Sequence, residues 1–271
     1  MLRSILFGLL LFLAGCVKEA DWTPPDSSPD LLVVEGMITD QQGVHYLTLA
    51  KSIATLNEKP LPVSGATVLL SSEDSAWTLS EVSEDAGRYA TPEWFAGNAG
   101  KTYTLQIFYQ GQVFSARDIL VPGSYFSELR YAPNEDDELY HIDYVSSAFN
   151  NEKPAMWEIE LDWSAVNGYE QTEPDLCRAR LIFYSLPTLD VSEIFAPLAE
   201  QISFPSGTVI TERRYSLSEK HAEYIRQMLL ETNWQGGLFP TANANVSSNL
   251  SAGATGFFAA SAVTTLSLTV K

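Results

Sequence analysis

The residues with the clearest chemistry stand near the start of the chain, where Leu13, Ala14 and Gly15 directly precede Cys16. A short stretch with one positive charge and a short apolar run come before them, which is the layout of a secretory signal. The apolar run is well below the roughly 20 residues that a membrane-spanning helix needs. Small residues before a cysteine match the bacterial lipobox, in which signal peptidase cuts before the cysteine and its thiol carries acyl chains such as palmitate. We expect a lipoprotein signal peptide at residues 1–15 and lipidation of Cys16; the alternative is a cleaved signal with an incidental cysteine.

The composition limits the possible partners. The chain has 271 residues, with 16 basic and 34 acidic side chains and a formal net charge of −18. A surface of that sign repels nucleic acid and anionic lipid head groups, so we expect no nucleic-acid partner. The hydrophobic fraction of 45% indicates a folded body and not an acidic disordered tail. Attachment to a membrane must therefore come from the lipid on Cys16.

The elements that follow the anchor divide into a tether and two β-rich segments. Residues 16–30 hold the anchor cysteine and three prolines, which predicts an extended tether. Short strands separated by turn residues predict an immunoglobulin-like β-sandwich over residues 31–122, with a two-residue hairpin turn at Gln110-Gly111. Pro122-Gly123 marks the predicted boundary, and residues 123–271 are predicted to form a second β-rich domain.

The second segment contains one clear amphipathic strand. Its acidic residues alternate with four large apolar ones, Trp157, Ile159, Leu161 and Trp163. A second alternating stretch, residues 177–184, places Arg178 and Arg180 between small and apolar side chains. If these strands pair antiparallel, carboxylates lie opposite guanidiniums, and each pair contributes roughly 0.2–1 kcal/mol. Cys177 is expected to be a buried free thiol in this strand.

One helix is strongly indicated. The pattern Ser216-Leu217-Ser218-Glu219 resembles a capping box, and apolar side chains follow on one face, so we predict a helix at about residues 217–231. Asn233 and Gly236-Gly237 are expected to end it. A weaker helical pattern covers Val191–Ala196. The predicted fold class is therefore mainly β with one helix in the C-terminal half.

No catalytic, metal or cofactor site is predicted. His45, His141 and His221 share no ligand spacing, and each is interpreted as a surface or satisfied polar residue. The acidic run Glu135–Glu138 could hold Ca²⁺, but it lacks the spacing of a calcium loop, so a solvated loop is favoured. Cys177 has no neighbouring base in the sequence to activate it.

Three aromatic residues are the candidates for ligand contact, because the sandwich core does not obviously need them: Trp22 in the tether, and Trp94 and Phe95 beside a glycine-rich turn. Asp74-Ser75-Ala76 fits a short acceptor pattern that resembles the O-glycosylation sites of Bacteroidota.

The order of several short motifs resembles a known family. Its pieces are Val33-Val34-Glu35-Gly36, Pro62-Val63-Ser64-Gly65-Ala66-Thr67-Val68, Gly87-x-Tyr89, Gly100-x-Thr102-Tyr103 and Asn249-Leu250-Ser251-x-Gly253-Ala254-x-Gly256-Phe257-Phe258. Together they resemble the Bacteroidota outer-membrane lipoproteins of domain-of-unknown-function family 4249. The Pro62–Val68 stretch also resembles the carboxypeptidase-regulatory-like (transthyretin-like) β-sandwich, a non-catalytic accessory fold.

The resemblance implies a place and a role. Members of this family are often encoded beside TonB-dependent outer-membrane transporters, and the family has no established enzymatic activity. It therefore implies a non-catalytic outer-membrane lipoprotein that assists such a transporter by binding substrate or capping the channel. Val17-Lys18-Glu19 resembles a surface-export signal, which favours cell-surface display over the periplasmic face. The alternatives are a structural or adhesive surface lipoprotein, and an extracellular glycan or peptide hydrolase.

Overall fold

A computed structural model describes residues 30–53, 57–135, 138–145, 153–169, 172–186, 202–232 and 246–271. These residues form fourteen strands and one α-helix, which confirms the predicted mainly-β fold class with a single helix. No helix of the described residues is long and apolar enough to cross a membrane. The strands are β1 (Leu32–Thr39), β2 (Tyr46–Lys51), β3 (Thr67–Ser71), β4 (Ala76–Glu81), β5 (Arg88–Ala90), β6 (Thr102–Tyr109), β7 (Gln112–Ile119), β8 (Arg130–Pro133), β9 (Tyr140–Tyr144), β10 (Ala155–Asp162), β11 (Arg178–Ser185), β12 (Val209–Ser216), β13 (Ala254–Ser261) and β14 (Val263–Thr269), and helix α1 is Glu219–Thr232.

The first sheet has eight strands in the order β13-β1-β2-β5-β4-β3-β6-β7. Strand β4 turns the corner between two layers, because Ala76–Leu79 pair with β3 whereas Ser80 and Glu81 pair with β5. The inward side chains of both layers form one core that includes Leu49, Leu70, Tyr103 and Ile107. Gln110 and Gly111 have φ values of 49° and 75° and join β6 to β7, as the predicted two-residue hairpin turn requires.

Strand β13 joins this sheet from the far end of the sequence. It pairs parallel with β1, so that Val34 lies beside Gly256 and Gly36 beside Phe258. Gly256 has a φ of 96°, and a Cβ there would lie 2.2 Å from the carbonyl oxygen of Val34, so no larger residue fits without a backbone shift. The division at residues 122 and 123 stays a prediction, but this strand of the second predicted segment lies in the sheet of the first.

The second sheet has the strand order β11-β10-β12-β14. Strands β10 and β11 pair antiparallel as predicted, with Trp157 opposite Phe183. One face packs against the hairpin β8–β9 and forms a second core around Ile159, Leu161 and Phe204. Cys177 is buried and free as predicted, but it ends the 3₁₀ turn Pro174–Cys177, so the strand begins one residue after it.

Helix α1 covers the outer side of β13. The rings of His221 and Tyr224 each stack on Phe257, with centroids 4.9 Å apart in both pairs. The cap differs from the prediction, because Ser218 and not Ser216 accepts the hydrogen bond from the backbone N–H of His221, at 3.1 Å. The predicted helix end at Asn233 and Gly236-Gly237, and the weaker helix at Val191–Ala196, lie outside the described residues.

Ser216 instead ties the two sheets together. Its hydroxyl donates to the carbonyl of Val121 at 2.5 Å and accepts from the backbone N–H of Ala262 at 3.0 Å. The next residue, Val263, donates its backbone N–H to the Asp40 carboxylate at 2.8 Å. Buried polar contacts therefore hold the link between β13 and β14 in one position relative to both sheets.

Candidate functional site

The predicted site residues fall in different environments. Five of them lie outside the described residues: Cys16, its recognition residues Leu13, Ala14 and Gly15, and Trp22. Trp94 is 65% exposed, as a ligand-contacting ring requires. Phe95 is only 1% exposed, because its ring packs edge-on against Trp77 with centroids 5.0 Å apart. Phe95 is therefore a core residue, and a ligand contact through its ring is not supported.

The three histidines lie apart on separate elements. His45 makes a 2.7 Å hydrogen bond between its Nε2 and the Thr39 hydroxyl, and burial lowers its pKa. His141 makes a 2.8 Å hydrogen bond between its Nδ1 and the Asn134 side-chain oxygen. Burial lowers the pKa of His221 to about 4, so its ring is neutral near pH 7. No group of three metal-ligating side chains occurs in the described part of the chain. The acidic run that begins at Glu135 lies partly outside it.

A charged ladder covers the face of the second sheet that points away from the β8–β9 hairpin. We call it the outer charged face, and it consists of Glu158, Glu160, Asp162, Arg178, Arg180 and Arg213. The register places Glu160 opposite Arg180 and Asp162 opposite Arg178, as predicted. Arg178 pairs directly across the strands with Asp162, with 2.9 Å between Nε and Oδ2. Arg180 instead forms an ion pair with Glu158, which lies diagonally across the strands. Arg213 forms an ion pair with Glu160, with 2.8 Å between Nη1 and Oε2.

Glu158 is the centre of the outer charged face. Its carboxylate is buried under Arg180 and Arg213, and it accepts a 2.7 Å hydrogen bond from the Tyr215 hydroxyl. Burial, together with this hydrogen bond, raises the pKa of Tyr215. An open cleft of about 470 Å³ lies on the same face, between Asp162 and Arg180. Because its charges compensate one another, the face suits contact with a polar surface more than capture of a single ion.

A second cleft, of about 500 Å³, lies where β7 meets the start of α1. Asp118 lies at its base and accepts the backbone N–H of Ala260 at 2.9 Å. Burial raises the pKa of Asp118, and its hydrogen bond with Ser218 opposes that rise. The carboxylate thus joins β7, β13 and the helix cap, which is a structural task.

The opposite face of the second sheet contains three polar side chains among apolar ones. We call Trp157, Glu212 and Arg214 the inner polar cluster. Trp157 and Arg214 are cross-strand neighbours, and Glu212 lies two residues along β12 on the same face. Their exposed fractions are 4%, 2% and 5% respectively. Burial raises the pKa of Glu212 to about 7 and lowers that of Arg214.

Sequence reasoning missed the inner polar cluster. The available signal was the alternation of two sets of residues along β12: Ile210, Glu212 and Arg214 on one face, and Val209, Thr211 and Arg213 on the other. Both sets contain apolar and charged residues, so the pattern does not say which face is buried.

The sequence matches the family described as Domain of unknown function (DUF4249) over residues 17–267. No curated protein matches it. Among solved structures it is similar to the chicken CNTN1 FN1–FN3 domains, at 10% identity and a TM-score of 0.28, with 73% of this chain and 64% of that chain covered. The chain thus spans less than two thirds of that structure, and a likeness at this TM-score carries no argument about fold or function. The family match covers most of the chain, and the protein therefore belongs to the DUF4249 family.

Proposed function

We propose that this protein is a lipid-anchored, non-catalytic accessory of a TonB-dependent transporter in the outer membrane of a Bacteroidota cell. It is displayed on the cell surface and binds the transported substrate or caps the channel. Each of three parts has its own role. Cys16 anchors the chain, residues 17–30 act as a spacer, and the β-rich body contacts the partner.

The observation that carries the proposal is the Leu13–Cys16 lipobox and its distance from the fold. Fifteen residues separate Cys16 from Leu32, the first residue of β1. A fully extended chain of that length spans at most about 55 Å. The tether therefore allows the body to lie on a neighbouring transporter while the lipid stays in the bilayer.

The surfaces of the described residues support a binding role. The buried or paired acids beside the clefts are engaged in the fold: Asp162 accepts the Ser164 hydroxyl at 2.6 Å and pairs with Arg178, and Asp118 accepts the backbone N–H of Ala260. A carboxylate held in this way stabilises structure, whereas a catalytic acid or base must reach the reacting group. The resemblance of the Pro62–Val68 stretch to a transthyretin-like accessory sandwich agrees with that role.

Co-purification tests the proposal. The wild-type chain and a Cys16→Ala variant are tagged after Lys271, expressed in the native host and solubilised from membranes in mild detergent. We expect a stoichiometric β-barrel transporter with the wild type, and its loss with Cys16→Ala.

Cys177→Ala is the matched control, because it also removes one thiol but leaves the lipobox intact. Cys177 is fully buried, so its substitution does not alter the surface. We expect Cys177→Ala to incorporate labelled palmitate and to retain the transporter. Labelling of Cys16→Ala, or purification of all three forms without a barrel protein, would contradict the proposal.

A further inference from the structure

Arg214 is a buried cation without a counter-charge among the described residues. Within this part of the chain its guanidinium makes one hydrogen bond, from Nη2 to the carbonyl of Lys153 at 3.3 Å, and its Nη1 is buried with no partner. No carboxylate of the described residues pairs with it. A buried charge is strongly unfavourable unless it is paired, so the site favours an anion.

A second buried donor lies beside it. The indole Nε1 of Trp157 is also buried and has no partner in the part of the chain that the structure describes, and the guanidinium carbon of Arg214 lies 5.3 Å from the centroid of the Trp157 ring. The two side chains are cross-strand neighbours on one face. Two neighbouring buried donors that find no acceptor among the described residues favour an anionic oxygen as their partner.

The side chains around Trp157 and Arg214 indicate what the rest of the ligand must be. Phe126 packs edge-on against Trp157, with centroids 6.4 Å apart, and supplies an apolar wall. Glu212 is the nearest acid along the strand. One of its oxygens accepts the backbone N–H of Leu129 at 3.3 Å, and the other has no partner among the described residues. Because burial raises its pKa to about 7, Glu212 is largely uncharged in mildly acidic solution and does not repel an anion there.

We propose that the inner polar cluster binds a small carboxylate with an apolar body, held by the Arg214 guanidinium and the Trp157 indole N–H. The planar guanidinium matches a carboxylate, and the two aromatic rings contact the apolar part. The segment Pro122–Leu129 has no regular secondary structure and covers the site through Phe126, so entry requires displacement of that segment. The site does not depend on a transporter partner.

Thermal unfolding of the full-length protein in detergent, with benzoate as the probe, tests the site. Benzamide is the neutral isostere, and sodium chloride keeps the ionic strength constant at pH 6. We expect benzoate at ten times its Kd to raise Tm by about 2–4 °C, and benzamide at the same concentration to leave it unchanged.

Three variants locate the effect. Arg214→Met removes the cation and should abolish the benzoate response. Arg213→Met is the matched control, because the adjacent side chain lies on the outer charged face, and it should keep the response. Trp157→Phe keeps the aromatic ring but loses the indole N–H, so we expect about tenfold weaker binding.

The ligand-free stability of Arg214→Met is a separate readout. Since the substitution removes an uncompensated charge, its Tm without benzoate should equal or exceed that of the wild type. Equal shifts with benzoate and benzamide, a response that persists in Arg214→Met, or unfolding of ligand-free Arg214→Met far below the wild type would each overturn the proposal. The last result would show that the chain itself pairs the guanidinium.

Discussion

The Tyr89 hydroxyl donates a 2.9 Å hydrogen bond to the carbonyl of Val63 and accepts one from the backbone N–H of Ala66 at 3.0 Å. One phenol therefore holds both ends of the loop that leads into β3. Glu81 holds the same loop from β4, because its carboxylate accepts the backbone N–H groups of Gly65 and Gly87. The Pro62–Val68 and Gly87-x-Tyr89 motifs are thus parts of one structural unit.

Tyr89→Phe should destabilise the protein by about 1–3 kcal/mol, because it leaves the buried carbonyl of Val63 and the half-buried N–H of Ala66 without their partner. Urea unfolding followed by circular dichroism measures this loss. Tyr109→Phe is the control, since its hydroxyl accepts an exposed hydrogen bond from the Gln110 side chain, and it should change the free energy of unfolding by less than about 0.5 kcal/mol. Equal effects of the two substitutions would contradict this role of Tyr89.

Gly256→Ala should disrupt the parallel pairing of β13 with β1. The added Cβ would lie 2.2 Å from the carbonyl oxygen of Val34, so the strands must separate, and we expect a loss of more than about 3 kcal/mol. Gly100→Ala is the matched control, because Gly100 also has a positive φ, of 85°, but open space around its Cβ position. It should lose only about 1 kcal/mol from backbone strain. Equal losses in urea unfolding would show that strain alone explains the first result.

Glu158→Gln should be the most destabilising single change on the outer charged face. It removes the buried charge that Arg180, Arg213 and Tyr215 share, and we expect a loss of about 1–3 kcal/mol. Glu160→Gln removes a more exposed charge with one partner and should lose less than about 1 kcal/mol. Chemical denaturation of both variants at low and high salt compares them, and a larger effect at Glu160 would contradict the position of Glu158 at the centre.

Glu212 should make stability depend on pH. Its pKa rises from 4.5 in the unfolded chain to about 7 in the fold, so its favourable contribution is complete below pH 4.5 and is lost as pH rises through 7. Glu212→Gln cannot ionise, and it should gain up to about 3 kcal/mol relative to the wild type between pH 5 and pH 8.5. Unfolding at both pH values measures the difference. A constant offset between the two proteins would contradict the raised pKa.

Local patterns predicted much of this fold. Alternation of apolar and charged residues predicted the faces of β10 and β11, and their antiparallel pairing was a hypothesis that the structure confirms. The turn at Gln110-Gly111 followed from its residue types. Pairing between distant segments has no local signal, so the sequence did not predict that β13 pairs with β1. The helix cap shifted by two residues because Ser216 is used by Val121 and Ala262, a tertiary contact that no local pattern contains. Arg214 was missed for a similar reason, since its burial depends on the segment that covers Trp157.

Substrate uptake by the co-purified transporter tests the central proposal most directly. It is measured in the native host, in a strain that lacks this gene, and in that strain complemented with the wild type, Cys16→Ala or Cys177→Ala. We expect uptake to fall several-fold on deletion, and we expect the wild type and Cys177→Ala to restore it whereas Cys16→Ala does not. Unchanged uptake in the deletion strain would contradict an accessory role in transport.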